Sequence, residues 1–274
     1  MLRCGRHMLP LERPLVMGIV NITPDSFSDG GKFLDRAAAL AHARRLIEEG
    51  ADVLDLGGES TRPGARPVSE EEELDRIIPV LEALADAPLP ISIDTRRPAV
   101  MREALAHGAS MINDIEALSA PGALEAVVPT DCAVCLMHKR GEPATMQHDP
   151  LYGEVVSEVA DYLAGRIAAA RAAGIGADRI VADPGFGFGK TLVHNLALLK
   201  RLPEVVARLG VPLLVGWSRK SSLGELTGRS AGDRLAGSLA AALLALLGGA
   251  KILRVHNVKE TRDVVLVWEA WRNA

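Results

Sequence analysis

Eight times along this chain a short apolar run ends in a polar residue and a helix-like stretch follows. The runs cover 16–22, 53–56, 91–93, 110–112, 132–137, 180–182, 213–215 and 252–253. They end at or near Asn21, at Gly57-Gly58-Glu59, at Asp94, Asn113, His138 and Asp183, at Ser218-Arg219-Lys220, and at Arg254-Val255-His256. Strand–helix alternation of this kind implies a parallel sheet buried on both faces. Eight such units in one domain fit an α/β fold, a (β/α)8 TIM barrel, whose chemistry collects at the C-terminal strand ends. The polar residues fall at that end.

A length of 274 residues is close to the ~250 of a single barrel, so one domain is expected, with residues 1–14 as an N-terminal extension. There are 31 basic and 35 acidic side chains, a formal charge of −4, and no basic stripe, which leaves nucleic-acid binding without electrostatic support. The first residues lack the apolar core of a signal peptide, and three cysteines are an odd number. Both features fit a cytoplasmic protein. Cys132 and Cys135 form a CxxC without a second pair, in a segment that reads as a buried strand.

Helices are expected over 36–49, 69–87, 98–107, 121–128, 153–173, 192–209, 232–247 and 258–271. Ser69 and Glu72 have capping-box spacing, Pro98 and Pro121 suit first turns, and Gly108, Gly174 and Gly210 suit C-caps. The stretch 235–250 is too short to span a bilayer, which needs ~20 residues, yet it is apolar all round. Its outer face therefore needs cover, either from a second subunit or from the chain itself; a homodimer is the more economical choice.

At the mouth of such a barrel, Asp94, Asn113 and Asp183 offer carboxylate and amide groups that suit the donor–acceptor edge of a planar heterocycle. One such residue alone reads as a helix N-cap, but three strands in succession strain that reading. Arg254 and His256 alternate after the last strand and suit an anion, since phosphate sites in these barrels often follow strands seven and eight. The segment Asp183-Pro-Gly-Phe-Gly-Phe-Gly-Lys-Thr191 imitates a nucleotide loop but fails: Pro184 stands where a P-loop needs glycine, and GxGxxG spacing is missed by one residue. Its glycines suit close backbone approach, and Phe186 and Phe188 look like stacking surfaces, although core packing explains one of them equally well.

These residues closely resemble the dihydropteroate synthase family, from about residue 17 to about residue 265. The blocks are Asn21-Ile-Thr-Pro-Asp-Ser-Phe-Ser-Asp29, Asp55-Leu-Gly-Gly-Glu-Ser-Thr-Arg-Pro-Gly64, Ser92-Ile-Asp-Thr95 and Asn113-Asp-Ile115. Asp183 to Lys190, Ser218-Arg-Lys220 and Arg254-Val-His256 complete the order. The resemblance implies a folate-pathway transferase that joins p-aminobenzoate to 6-hydroxymethyl-7,8-dihydropterin diphosphate, by SN1-like loss of diphosphate.

Carried over by position, it implies a pterin pocket of Asp94, Asn113, Met137, Asp183, Phe186, Gly216, Lys220 and Arg254. The diphosphate falls to Asn21, Thr61, Arg62, Arg254 and His256, with Asn21 holding Mg2+. The p-aminobenzoate site is implied at Phe27, Thr61, Arg62, Pro63, Phe188, Lys220 and Ser221, partly on two mobile loops. Asp94, Lys220, Arg254 and His256 are the implied catalytic set. The departures are Trp217, where a smaller residue is expected, Asn257, where Asp is usual, and Lys139-Arg140 in a variable loop.

Three rivals differ in kind. A methyltetrahydrofolate–corrinoid methyltransferase would keep the Asp94, Asn113 and Asp183 edge but has no use for the Ser218-Arg-Lys220 and Arg254-Val-His256 blocks. A Schiff-base aldolase would need Lys220 desolvated, which a polar turn beside Arg219 does not favour. An inactive pterin-binding paralogue would have lost loop or phosphate residues, and this chain keeps them.

Overall fold

A computed structural model describes residues 1–22, 31–59, 68–142 and 145–274, with residues 31–35 described by their backbone alone. Eight parallel strands form the barrel: β3 (Leu15–Asn21), β4 (Val53–Gly57), β5 (Ile91–Asp94), β6 (Met111–Asp114), β7 (Ala133–Met137), β8 (Ile180–Asp183), β9 (Leu214–Val215) and β10 (Ile252–Val255). Each pairs with its sequence neighbour, and β10 returns to β3. The remaining seam, between β8 and β9, is held by a single bridge from Ala182 to Leu213.

The strand period of two divides the core. One set of residues, including Val16, Val20, Leu54, Ile93 and Ile112, packs outward against the helices. The other set, including Leu15, Met17, Val53, Met111, Ala133, Cys135, Val181, Leu214 and Ile252, fills the barrel interior. The same inward parity, continued toward the strand ends, aims Asp55, Asp94, Asn113, Met137, Asp183, Gly216 and Arg254 at the mouth. Apolar packing below and polar groups above thus follow from one alternation.

Residues 1–14 are more integrated than a simple extension. Strands β1 (Leu2–Cys4) and β2 (His7–Leu9) form an antiparallel hairpin, turned at Gly5 with φ of +57°. Leu2 and Cys4 join the interior cluster, so the hairpin plugs the end of the barrel opposite the mouth. Cys4, Cys132 and Cys135 are all buried free thiols, as the strand reading of the CxxC requires.

The outer layer comprises α1 (Gly31–Glu48), α2 (Glu70–Glu82), α3 (Pro98–Ala106), α4 (Ala123–Val127), α5 (Val155–Ala172), α6 (Leu192–Lys200), α7 (Leu202–Leu209), α8 (Ser221–Thr227), α9 (Leu235–Leu247) and α10 (Val258–Asn273). Ser69 caps α2 by accepting from Glu72 N–H at 3.1 Å. That helix stops at Glu82 rather than 87, because residues 84–87 wind into tight turns ahead of Pro88. The helix expected over 192–209 is two helices. Pro203 has no N–H and its ring collides with the carbonyl four residues back, so the axis breaks at Arg201. Pro121 also misses its expected place: Gly122, at φ of +87°, is the N-cap of α4. Gly108, Gly174 and Gly210 follow their helices at positive φ, as expected of C-caps.

The face of α9 stays open. Leu243, Leu244 and Leu247 are exposed, as are Leu266, Val267 and Trp271 on the adjacent α10. No other part of the described chain covers them. Among the described residues, no helix is long and apolar enough to cross a membrane.

Leu2→Ala should therefore destabilise the whole barrel by about 2–5 kcal/mol, the cost of emptying a fully buried leucine site. Urea unfolding followed by circular dichroism measures this; an unchanged midpoint would show that the hairpin contributes nothing to the interior.

Candidate active site

The mouth is organised around Arg254. Its Nε donates to Asp55 Oδ2 at 2.5 Å and its Nη2 to Asp94 Oδ2 at 2.6 Å. Asn113 Nδ2 donates to the same Asp55 oxygen at 3.1 Å, so strands β4, β5, β6 and β10 are joined through one guanidinium. Burial alone would lower Arg254, but Asp55 and Asp94 outweigh it and hold the guanidinium above its usual range. Asp94 responds oppositely. Burial pushes its carboxyl up to about 7, against the pull of Arg254 and with help from neighbouring Asp55.

A second group lies across β8 and β9. Asp183 accepts from Gly185 N–H at 2.7 Å, and burial raises its carboxyl despite nearby Lys220. Lys220 donates to Phe186 O, and its amine sits 4.4 Å above the Phe188 ring. Burial brings that amine down to about 8, with Asp183 opposing the shift. A polar turn beside Arg219 did not suggest this lowering of Lys220, which is half-buried against the 184–189 loop. The lysine's charge therefore does not rule out Schiff-base chemistry.

Phe186 requires the main correction. Its ring is fully buried and stacks on Trp217 at 5.0 Å and 18°, so it presents no surface to the mouth. The core-packing reading holds for Phe186, and the open ring is Phe188. Trp217 thereby finds its reason: it covers Phe186, and its indole N–H donates to Ser222 Oγ at 2.7 Å. Asn257 is likewise placed, its Oδ1 accepting from Arg219 Nε at 3.0 Å and Nη2 at 2.6 Å.

The other expected residues are distributed as follows. Met137 and Gly216 are buried at the ends of β7 and β9, and a Cβ on Gly216 would meet Arg254 and Asp183. Asn21 is half-buried at the end of β3, its Oδ1 near Gly57. His256 Nδ1 lies 3.0 Å from Ser218 Oγ. Ser221 is exposed at the start of α8. Phe27, Thr61, Arg62 and Pro63 lie outside the described residues.

Two features escaped the sequence reading. Asp55 is a carboxylate of zero exposure inside the apolar run of β4, and its Oδ1 has no hydrogen-bond partner. A lone acid at an inward position of a buried strand was the available signal. The other is Arg97, which donates to Glu59 Oε1 at 3.0 Å, to Val68 O at 2.5 Å and to the buried Glu73. It ties together the described residues on either side of segment 60–67, a link that no local pattern encodes.

A pterin binding enzyme family model matches residues 17–256. A dihydropteroate synthase of Neisseria meningitidis serogroup B is 54% identical, covering 98% of this chain and 96% of that protein. The Xanthomonas albilineans dihydropteroate synthase, solved with 4-aminobenzoic acid, superposes with a TM-score of 0.92 at 55% identity, covering 97% of this chain and 96% of that one. The Burkholderia cenocepacia enzyme, solved with 7,8-dihydropteroate, gives 0.91 at 52% identity, covering 99% and 96%. The chain belongs to the pterin-binding enzymes and, within them, to the dihydropteroate synthase family. That membership sets aside the aldolase and the corrinoid methyltransferase.

Removing Arg254 should leave Asp55 buried with only Asn113 as partner. Arg254→Met is expected to cost about 3–5 kcal/mol, the usual loss when one member of a buried ion pair is deleted. Chemical denaturation compares it with the parent, and a loss below 1 kcal/mol (about the worth of a surface pair) would show the cluster to be solvated.

Proposed function

We infer that this chain is a dihydropteroate synthase of folate biosynthesis, joining p-aminobenzoate to 6-hydroxymethyl-7,8-dihydropterin diphosphate. The observation that carries the reading is the convergence of Asp94, Asn113, Asp183, Lys220 and Arg254 at one barrel mouth in a chain half identical to such enzymes. Diphosphate release from purified protein, p-aminobenzoate and the pterin diphosphate tests it directly; no turnover would leave an inactive pterin-binding paralogue.

In the reaction the bond between the pterin CH2 and diphosphate oxygen breaks, a C–N bond forms to the arylamine, and that nitrogen releases a proton. No side-chain nucleophile is needed, so catalysis rests on positioning and charge. Asp94, Asn113 and Asp183 take the donor–acceptor edge of the pterin, Lys220 reaches its acceptor atoms, and Arg254 lies against the ring face. Met137 and Gly216 line the same pocket. When ionised, Asp55, Asp94 and Asp183 outnumber Arg254 and Lys220, which favours positive charge developing on the pterin CH2. The open Phe188 ring and Lys220 border the p-aminobenzoate site. His256, steadied by Ser218, faces the leaving diphosphate.

Asn21 fits Mg2+ as one protein oxygen ligand. Among the described residues no cluster of three or more acidic, His or Cys side chains could cage a metal. Asn21 offers one hard oxygen, and Mg2+ commonly takes one or two protein oxygens with water and substrate phosphates. Bound there, it would neutralise the departing diphosphate.

The open apolar surface of α9 and α10 supports a homodimer that leaves each mouth free. The buried free thiols fit a reducing compartment, the cytoplasm.

Three outcomes follow from these assignments. Asp183→Ala should weaken a pterin analogue by ~1–3 kcal/mol or more, since ligand N–H groups would lose their acceptor, and titration calorimetry reads the change. Affinity for that analogue should be bell-shaped in pH. It falls below about 7 as Asp94 gains a proton and above about 8 as Lys220 loses one. A flat profile through that window would remove both groups from ligand contact. Sedimentation equilibrium should report twice the 29.1 kDa chain mass, whereas a monomer would leave the α9 surface without a purpose.

A further inference from the structure

We propose that Lys190, which lies outside the mouth, is a positioning residue: its amine holds the 184–189 loop from behind and so sets where Phe188 and Lys220 stand. The proposal rests on the dihydropteroate synthase reading of that mouth. Lys190 is only 3% exposed. Its Nζ meets Gly185 O at 2.9 Å, Phe188 O at 3.1 Å, His138 O at 3.4 Å and His138 Nδ1 at 2.9 Å. Three backbone carbonyls and one ring nitrogen thus surround a single buried amine, giving it the partners burial requires, and burial holds that amine well below the usual lysine range. Burial, with nearby Lys190 and Arg140, brings His138 down to about 2, so its ring is neutral and its tautomer sets which of Nδ1 and the Lys190 amine donates.

The loop is neither helix nor strand; within it Phe188 N–H donates to Gly185 O at 3.1 Å, and Asp183 and Asn195 accept from Gly185 and Gly187 N–H. Gly185, Gly187 and Gly189 take φ of +69°, +78° and +61°, and the chain presses against the strand β7 exit. A Cβ on Gly185 would fall 1.9 Å from His138 O, and one on Gly189 would fall 2.2 Å from Arg140 O. The backbone oxygens turned out by these residues are then satisfied by side chains. Lys190 takes Gly185 and Phe188, Lys220 takes Phe186, Gln147 takes Gly187, and Tyr152 OH takes Gly189 at 2.8 Å.

Every carbonyl from 185 to 189 is thereby held, two of them by one amine. The front of the same loop carries the ring beneath the Lys220 amine and the carbonyl that Lys220 donates to. A loop that shifts when its rear anchor is lost therefore moves both groups at once. The Gly-Lys pair that imitates a phosphate loop in sequence has its amine turned inward, onto its own backbone.

Lys190→Met keeps the length and removes the donors. It should raise KM for p-aminobenzoate on the order of tenfold and lower kcat on the order of tenfold to a hundredfold, the cost of misplacing reacting groups by about 1 Å. A pterin analogue, with Asp94 and Asn113 on other strands, should lose less affinity than p-aminobenzoate does. Trp217 supplies an independent readout through its stack on Phe186. In a Trp268→Phe, Trp271→Phe background it is the sole tryptophan, and its emission should shift in Lys190→Met. Tyr152→Phe, which releases only Gly189 O, should move both readouts the same way by less.

Parent-like KM and Trp217 emission in Lys190→Met would overturn the proposal, as would a kcat loss that merely tracks the folded fraction. If Lys190→Met does not fold, Tyr152→Phe decides, and unchanged KM and emission there overturn it. Absence of turnover in the parent would refute the assigned reaction instead, while the Trp217 comparison would still test the loop.

Discussion

One cation placed among carboxylates at the barrel mouth organises everything around it. Arg254 spans Asp55 and Asp94, and Asn113 joins through Asp55, so four strands share one polar cluster above an apolar interior. Deep in the barrel these groups would be costly to bury singly, and their mutual contacts are what make the arrangement tolerable. The same cluster divides the carboxylates by environment. Asp94 is poised near neutrality, and the guanidinium is held firmly charged.

The second determinant is the glycine-rich turn after β8. It brings backbone closer to residues 138–140 than any Cβ would allow, and it sends one phenylalanine inward and the next outward. Phe186 and Trp217 close the core on one side, while Phe188 and Lys220 border the mouth on the other. Rigid strands thus supply the pterin-facing groups, and a braced loop supplies the groups beside the second substrate. That division suits a reaction whose catalysis is chiefly positioning.

Much of this was legible in one dimension. Alternation of apolar runs with helical stretches names the barrel, and the polar residue closing each run names Asp94, Asn113, Asp183 and Arg254, because strand parity and strand-end position are local properties. Asp55 was harder, since it lies mid-strand and its only mark is a charge among apolar neighbours. Pro203 is a local signal as well, since a proline inside an apolar periodic stretch marks a helix start. Ser69, Gly108, Gly174 and Gly210 kept their expected capping places, as short-range backbone chemistry should.

What the sequence determined by itself is therefore the order of elements, the inward and outward faces, and the chemical character of the mouth. What only the tertiary structure decided is pairing at a distance. Arg254 meets Asp55 across 199 residues of chain, and Lys190 meets His138 across 52. Arg97 reaches Glu59, Val68 and Glu73 at once, and the hairpin of residues 2–9 becomes the floor of the barrel. These contacts depend on which strand ends the closed sheet brings together and how deeply each group is removed from water. Neither quantity has a local signature, so burial, and with it the depressed amine of Lys220 and the buried ring of Phe186, could be read only once the barrel had closed.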